Sequence, residues 1–168
     1  MLKIIYDKAG YVVIGSRHML RQVPQSLQSV HARDKTLASV SSARNIGVIF
    51  GSELSMEQQV THVCRMCYVG LREISKIRPY LTDEDTKPLV VALVMSNLDC
   101  NNALLYKISK FLQNILQSVQ NNAAKVTAMK RKSDQIEHIR KELHWLPIEF
   151  QIKCKLLLLT FKCLTDLA

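Results

Sequence analysis

The sequence predicts a mostly α-helical chain with a small β element: two or three short strands at the N-terminus, then a helical bundle. Three observations point there. From Ser55 onward apolar residues recur at spacings of three and four, the period of a helix face. Before Ser55 they come in short β-branched or aromatic clusters, Tyr11-Val12-Val13-Ile14 and Ile46-Gly47-Val48-Ile49-Phe50, separated by polar residues. The stretch Lys141-Glu142-Leu143-His144-Trp145-Leu146-Pro147 holds the only tryptophan of 168 residues and opens onto a long apolar run. Pro147 favours the first turn of a helix there, because its missing N–H would have no partner in that turn.

Taken in order, Leu2 to Ser16 has strand character, Arg17 to Arg44 is polar and mixed, and Ser39 to Ser42 reads as a turn. A short strand fits Lys35 to Ala38, and a second, stronger one fits Arg44 to Gly51. Ser55-Met56-Glu57-Gln58 matches a capping box, in which the serine oxygen takes a helix amide and the glutamine reaches back. The following stripe runs through Met56, Val60, Val63, Cys67, Leu71, Ile74 and Arg78, widened by Ile77 and broken by Pro79. Thr82 then caps a helix whose first turn carries Asp83, Glu84 and Asp85, acids that suit the positive end of a helix dipole. Pro88 costs on the order of 3 kcal/mol inside a helix, so a start at Lys87 or a kink there is expected. Lys110 to Met129 makes another helix, with Phe111, Ile115, Val119 and Val126 inward and Leu112 and Leu116 beside them. A basic knot, Lys130-Arg131-Lys132, separates it from a short helix over 134–143. The final helix, from Ile148, carries Ile148, Ile152, Leu156, Leu159 and Cys163 on one face, with Leu157, Leu158, Phe161 and Leu164 on the flanks. A helix apolar nearly all round is central to a core or covered by a partner. The sequence favours the first, with the rest of the chain packed around it.

Composition excludes several classes. At 48% hydrophobic the chain is not generally disordered, and no apolar run approaches the ~20 residues of a membrane span. The N-terminus lacks a signal-peptide layout. Five cysteines, an odd number without framework spacing, read as reduced thiols in a core, which suits cytoplasm or nucleus. Cys64-x-x-Cys67 invites a zinc or redox reading, but a zinc site needs a second ligand pair and only His62 lies nearby. Two small apolar residues on a buried helix face explain the pair without metal. The net charge of +9 is uneven: seven Lys/Arg against three Asp/Glu over 1–54, five against six over 55–106, eleven against five over 107–168. Basic ends around a neutral middle suit contact with a polyanion, although an excess of charge also serves solubility.

At this point the order of motifs resembles the end of the reverse transcriptase of a LINE-type, non-LTR retrotransposon, over nearly the whole chain. Leu2-Lys3-Ile4-Ile5-Tyr6-Asp7-Lys8, followed by Val12 to Ser16, is similar to that family's LKLN-x-DKTE segment and the strand after it. Arg44-Asn45-Ile46-Gly47-Val48 resembles its RNLGV strand, and Ser96-x-Leu98-Asp99 with Asn102 and Leu104-Leu105-Tyr106 resembles SRLDYCNSLLY. Leu116-Gln117-x-Val119-Gln120-Asn121-x-Ala123-Ala124 resembles LQRVQNAAA, and Glu142 to Pro147 matches ELHWLP without a change. Departures include Ala9-Gly10 for Thr-Glu, Gly51 for a frequent aspartate, Pro88 inside a family helix and Cys100-Asn101 for Tyr-Cys.

The resemblance implies that residues 1–51 are the last piece of a polymerase palm and 52–168 the helical thumb and the region beyond it. It implies contact with the backbone of a template–primer duplex, RNA–DNA or DNA, through Arg44 and Asn45 near the primer and through Lys130, Arg131, Lys132, Arg140 and Lys141. Lys8 matches a palm lysine proposed to protonate departing pyrophosphate; a solvated turn lysine is the alternative. Nucleotidyl transfer needs carboxylates holding two magnesium ions, which the family supplies from upstream strands; this chain has no Asp-Asp pair. The expectation is therefore a fragment that is not itself an enzyme and takes no cofactor, Mg²⁺ belonging to the intact parent. The other readings are a helical protein-interaction module and a relic of a transposable element. In the first of these, apolar surface left near Val12–Ile14 and Ile46–Phe50 by the missing palm would bind protein or a second copy. For His144 and Trp145, base stacking stands against a role as inter-helix anchor, and the sequence favours the anchor.

Overall fold

The computed structural model describes residues 11–24, 29–32, 35–129 and 135–165. The fold is mostly α-helical with a small β element, and the chain falls into two compact units, Met1–Gln59 and Val60–Ala168.

In the first unit Ser16 starts a short helix, α1 (Arg17–Arg21), its hydroxyl accepting the Met19 N–H at 3.4 Å. Strands β1 (Ser29–Ala32) and β2 (Lys35–Ala38) pair antiparallel, Val30 opposite Leu37. β3 (Ser42–Asn45) and β4 (Val48–Gly51) form a second antiparallel pair, Asn45 opposite Val48. The β element is thus two separate hairpins. β2 lies where it was expected, whereas α1 and β1 fall in a stretch read as irregular. Arg44 to Gly51 is not one strand. The chain reverses at Ile46-Gly47, with φ of +47° and +80°. Positive φ at both loop positions gives the hairpin turn whose twist matches its strands. Gly47 takes that conformation freely, and the β-branched Ile46 is strained in it. The glycine inside an apolar cluster was the sequence signal for this turn. Tyr11 to Ile14 is likewise not a full strand: Tyr11 makes an isolated parallel bridge to Ser39, with the Val40 N–H donating to its carbonyl at 2.8 Å. The remainder of that expected strand, Leu2 to Gly10, lies outside the described residues.

Helix α2 (Glu57–Ile77) begins one residue later than a cap at Ser55 would place it, with Met56 in the N-cap position at φ +58°. Gln59, in its first turn, is buried and accepts the Ile49 N–H at 2.9 Å, so it fixes the hairpin strand within its unit. The stripe Val60, Val63, Cys67, Leu71, Ile74, Arg78 is buried throughout, while Ile77 is exposed. A 3₁₀ turn, Arg78–Tyr80, leads to Thr82, whose hydroxyl caps α3 (Asp83–Val90) by accepting the Asp85 N–H at 3.1 Å. The helix therefore starts at Asp83, not Lys87, and contains Pro88. Helical backbone continues through a π segment, Val91–Met95, into α4 (Ser96–Asp99). Against that segment α2 presents Cys67, whose thiol donates to the Val94 carbonyl at 3.6 Å, and Gly70. A Cβ on Gly70 would meet the Leu93 carbonyl oxygen at 3.3 Å, so glycine allows the approach.

Cys64 and Cys67 are both buried, and burial pushes the Cys67 thiol up to about 12, leaving it protonated. Cys100, Cys154 and Cys163 are exposed, contrary to the expectation of core thiols. After the 3₁₀ turn Asn102–Leu105, Ser109 caps α5 (Lys110–Thr127). Its inward residues are Leu112, Leu116, Val119, Gln120, Ala123, Ala124 and Thr127. Phe111, expected inward, is exposed. The face rotates by about 100° from that reading because Ala123, Ala124 and Thr127 are small enough for close packing.

Helix α6 (Ile136–Glu142) and α7 (Ile148–Leu164) complete the second unit. The expectation that α7 is central fails. Only Ile148 and Ile152 are buried in it, and α7 packs against α5 and the Asn102–Leu105 turn. The core is instead made by the stripe of α2, the face of α5 and Val90, Val94, Met95 and Leu98.

Candidate nucleic-acid interface

The tryptophan motif forms the corner between α6 and α7. The Trp145 N–H donates to the Arg140 carbonyl at 2.9 Å and the His144 N–H to the Lys141 carbonyl at 3.1 Å. With His144 at φ +57°, this is a Schellman closure in which histidine holds the position usually given to glycine. His144 is exposed and Trp145 half-buried. Replacing His144 with glycine should stabilise the protein by about 0.5–1 kcal/mol, the relief of left-handed strain less the entropy of the extra glycine. A rise in urea midpoint at constant m is the measurement.

α5 grips the same corner. The Gln120 Nε2 donates to the Leu146 carbonyl at 2.8 Å, and Gln117 Nε2 donates to Gln120 Oε1 at 2.7 Å. Gln117 Oε1 accepts the Ile148 N–H at 3.0 Å. Gln117 thus caps α7, a service that Pro147, in the N-cap position without a side-chain acceptor, cannot provide. Two stretches singled out in the sequence, Leu116 to Ala124 and Glu142 to Pro147, are in this way joined.

Beside the corner lies a notch of about 250 Å³ lined by Lys110, Gln113, Asn114, Gln117, Arg140 and the first turn of α7. Arg140 is half-buried in its wall, and its Nε has no partner among the described residues. Lys110 at 3.0 Å and Lys153 at 2.8 Å hold Glu149. Hydrogen bonds from Lys153 and then Lys110 pull that carboxyl down to about 2. The first turns of α5 and α7 both reach the notch, adding the partial positive charge of helix N-termini. Guanidinium, ammonium and amide donors without base-reading geometry are the chemistry that holds phosphate oxygens.

Of the residues expected to contact nucleic acid, Arg140 and Lys141 are neighbours on α6, Lys141 exposed and paired with Glu137 at 3.1 Å. Arg44 and Asn45 are exposed at the end of β3, in the other unit. Lys8, Lys130, Arg131 and Lys132 lie outside the described residues. Sequence reading missed Lys110, Gln113 and Asn114; the signal was their place at the start of α5, just ahead of the motif that meets the tryptophan corner. A second, larger cleft of about 660 Å³ runs along α2 and α5 between Tyr68, Arg72, Arg78, Asn122, Lys125 and Met129. Among the described residues no group of three or more His, Cys, Asp or Glu converges, and no helix is long and apolar enough to cross a membrane. The apolar patch expected from Val12–Ile14 and Ile46–Phe50 reduces to Ile14 and Ile46: Val12, Val13, Ile49 and Phe50 are half-buried and Val48 buried. Comparison of the chain with protein-family models, with curated proteins and with solved structures finds no match.

Proposed function

We propose that this chain is the thumb-side part of a LINE-type reverse transcriptase, binding the sugar–phosphate backbone of a template–primer duplex and carrying out no nucleotidyl transfer itself. The observation that carries the proposal is the notch beside the tryptophan corner, where Arg140, Lys110 and amide side chains gather on the helices that bear the two best-matched motifs. The excess of eleven basic over five acidic residues in 107–168 supports the same reading, and backbone contact explains charge without base specificity. Lys130, Arg131 and Lys132, outside the described residues, follow α5 in the sequence and add to its basic charge, and Arg44 with Asn45 would serve the primer side.

The test is a salt titration of binding to an RNA–DNA hybrid. Affinity should fall steeply with salt, and Arg140→Ala should flatten the log–log slope by about 1, the signature of one lost phosphate contact. Binding that is absent at low salt, or indifferent to salt, overturns the proposal. A second reading, a helical protein-interaction module, is favoured by the exposed apolar side of α7.

A further inference from the structure

The cleft of about 660 Å³ along α2 and α5 shares no lining residue with the notch, and duplex binding leaves it without a role. Its volume is that of a small-molecule site, which runs to roughly 300–1,000 Å³. Leu71, buried, and Val126, half-buried, give it an apolar wall that Pro79 and Met129 extend into solvent. Charge in the wall is of one sign. Arg72 and Arg78 come from the side of α2 and Lys125 from α5, and among the described residues no Asp or Glu lines the cleft.

The two guanidinium groups differ in what they hold. Arg78 is committed to the carbonyls of Leu81, Val126 and Thr127 and to Asp83. Arg72 is exposed, and no described residue pairs with it. It follows Tyr68 by one helical turn, so both stand on the cleft side of α2. The Tyr68 hydroxyl accepts the Asn122 Nδ2–H at 3.2 Å, which leaves its own proton for an acceptor in the cleft. A guanidinium fork and a phenol O–H one turn apart match the two oxygens of a carboxylate. Inorganic phosphate would satisfy both donors but leave the apolar wall bare, and a cation would meet three like charges. An aromatic ring bearing a carboxylate complements both parts of the wall.

We infer that this cleft binds a small aryl carboxylate, its ring against Leu71 and Val126 and its carboxylate on Arg72 and the Tyr68 hydroxyl. The inference is independent of duplex binding. The probes are 2-naphthoate and its neutral amide, 2-naphthamide, titrated against the full chain and read from the methyl shifts of Leu71, Val126 and Met129. Naphthoate should bind with Kd below about 1 mM and roughly tenfold more tightly than the amide. Arg72→Met should erase that preference while circular dichroism stays unchanged, because Arg72 is exposed. Lys162→Met removes the same charge from α7, outside the cleft, and should leave the preference intact. Met129→Gln should weaken both probes alike, by about threefold, through the ring. Equal affinity for the two probes, or a preference lost as fully in Lys162→Met as in Arg72→Met, overturns the inference. So do shifts centred away from the cleft. A peptide ending in phenylalanine with a free carboxylate that binds more tightly than naphthoate, by roughly tenfold or more, also overturns it and makes the cleft a chain-end site. Hybrid affinity and its salt slope should be unaltered by Arg72→Met; a slope flattened by about 1 overturns the inference and assigns Arg72 to the phosphate backbone. Naphthoate that does not bind while the hybrid does sinks this inference alone and leaves the duplex proposal standing.

Discussion

Replacing Arg78 with methionine is expected to lower stability by about 2–4 kcal/mol, a large fraction of what holds a domain of this size together. Arg78 ends the buried stripe of α2 and is itself buried. Its Nε donates to the Val126 carbonyl at 3.0 Å, Nη2 to the Thr127 carbonyl at 2.8 Å and Nη1 to the Leu81 carbonyl at 2.8 Å. One guanidinium thereby closes the end of α5, whose last carbonyls have no partner within the helix, and the loop into α3. It also pairs with Asp83. Methionine fills the volume of the stem but donates nothing, so the Thr127 and Leu81 carbonyls lose their guanidinium donor at about 1–3 kcal/mol each, while Val126 keeps the Met129 N–H at 3.4 Å, and the cost of burying a charge is no longer there. Asp83 is the control: it is 67% exposed, and Asp83→Ala should cost less than ~1 kcal/mol. Urea denaturation of both variants checks this, and equal losses would transfer the effect from the cap to the ion pair. Arg78→Lys should not rescue, since an ammonium cannot satisfy carbonyls spread around a planar fork.

Arg78 also marks where the sequence stops speaking. Its place on the stripe was legible from spacing, and so was the stripe itself, because a 3.6-residue period records which side chains share a face. What a basic residue meets there was not legible: two of its acceptors, the Val126 and Thr127 carbonyls, are 48 and 49 residues away and face it only once α5 has docked. The same limit explains α7. Periodicity showed that Leu156 to Leu164 is apolar on nearly every side, and it cannot say which side a neighbour covers. The hairpin at Ile46-Gly47 is a different failure, since local apolar clustering outweighed one glycine. For the candidate site, Arg140 and Lys141 were found by charge, whereas the glutamines behind them look like ordinary helix surface until Leu146 and Ile148 are brought opposite.

Those glutamines give the second large effect. Gln120→Leu is expected to destabilise by about 1–3 kcal/mol despite adding an apolar side chain of similar size to a fully buried position. The substitution removes the bond to Leu146 and leaves Gln117 Nε2 without one of its two acceptors; Asn121 Oδ1, at 2.9 Å, remains. Gln151 Nε2 still donates to the Leu146 carbonyl at 2.9 Å, which keeps the loss below that of a wholly orphaned group. Adding Gln151→Leu should therefore cost more in the Gln120→Leu background than in the wild type, a coupling a double-mutant cycle reads directly. The wider consequence concerns the corner: if Gln120 and Gln117 hold Pro147 and Ile148 in place, the notch with Arg140 depends on them. Gln120→Leu should then weaken hybrid binding while leaving the slope of its salt dependence unchanged, because every phosphate donor is still present and only its position is lost. A flattened slope would mean instead that Gln120 acts through the number of phosphate contacts, and the corner would lose its place as the support of the site.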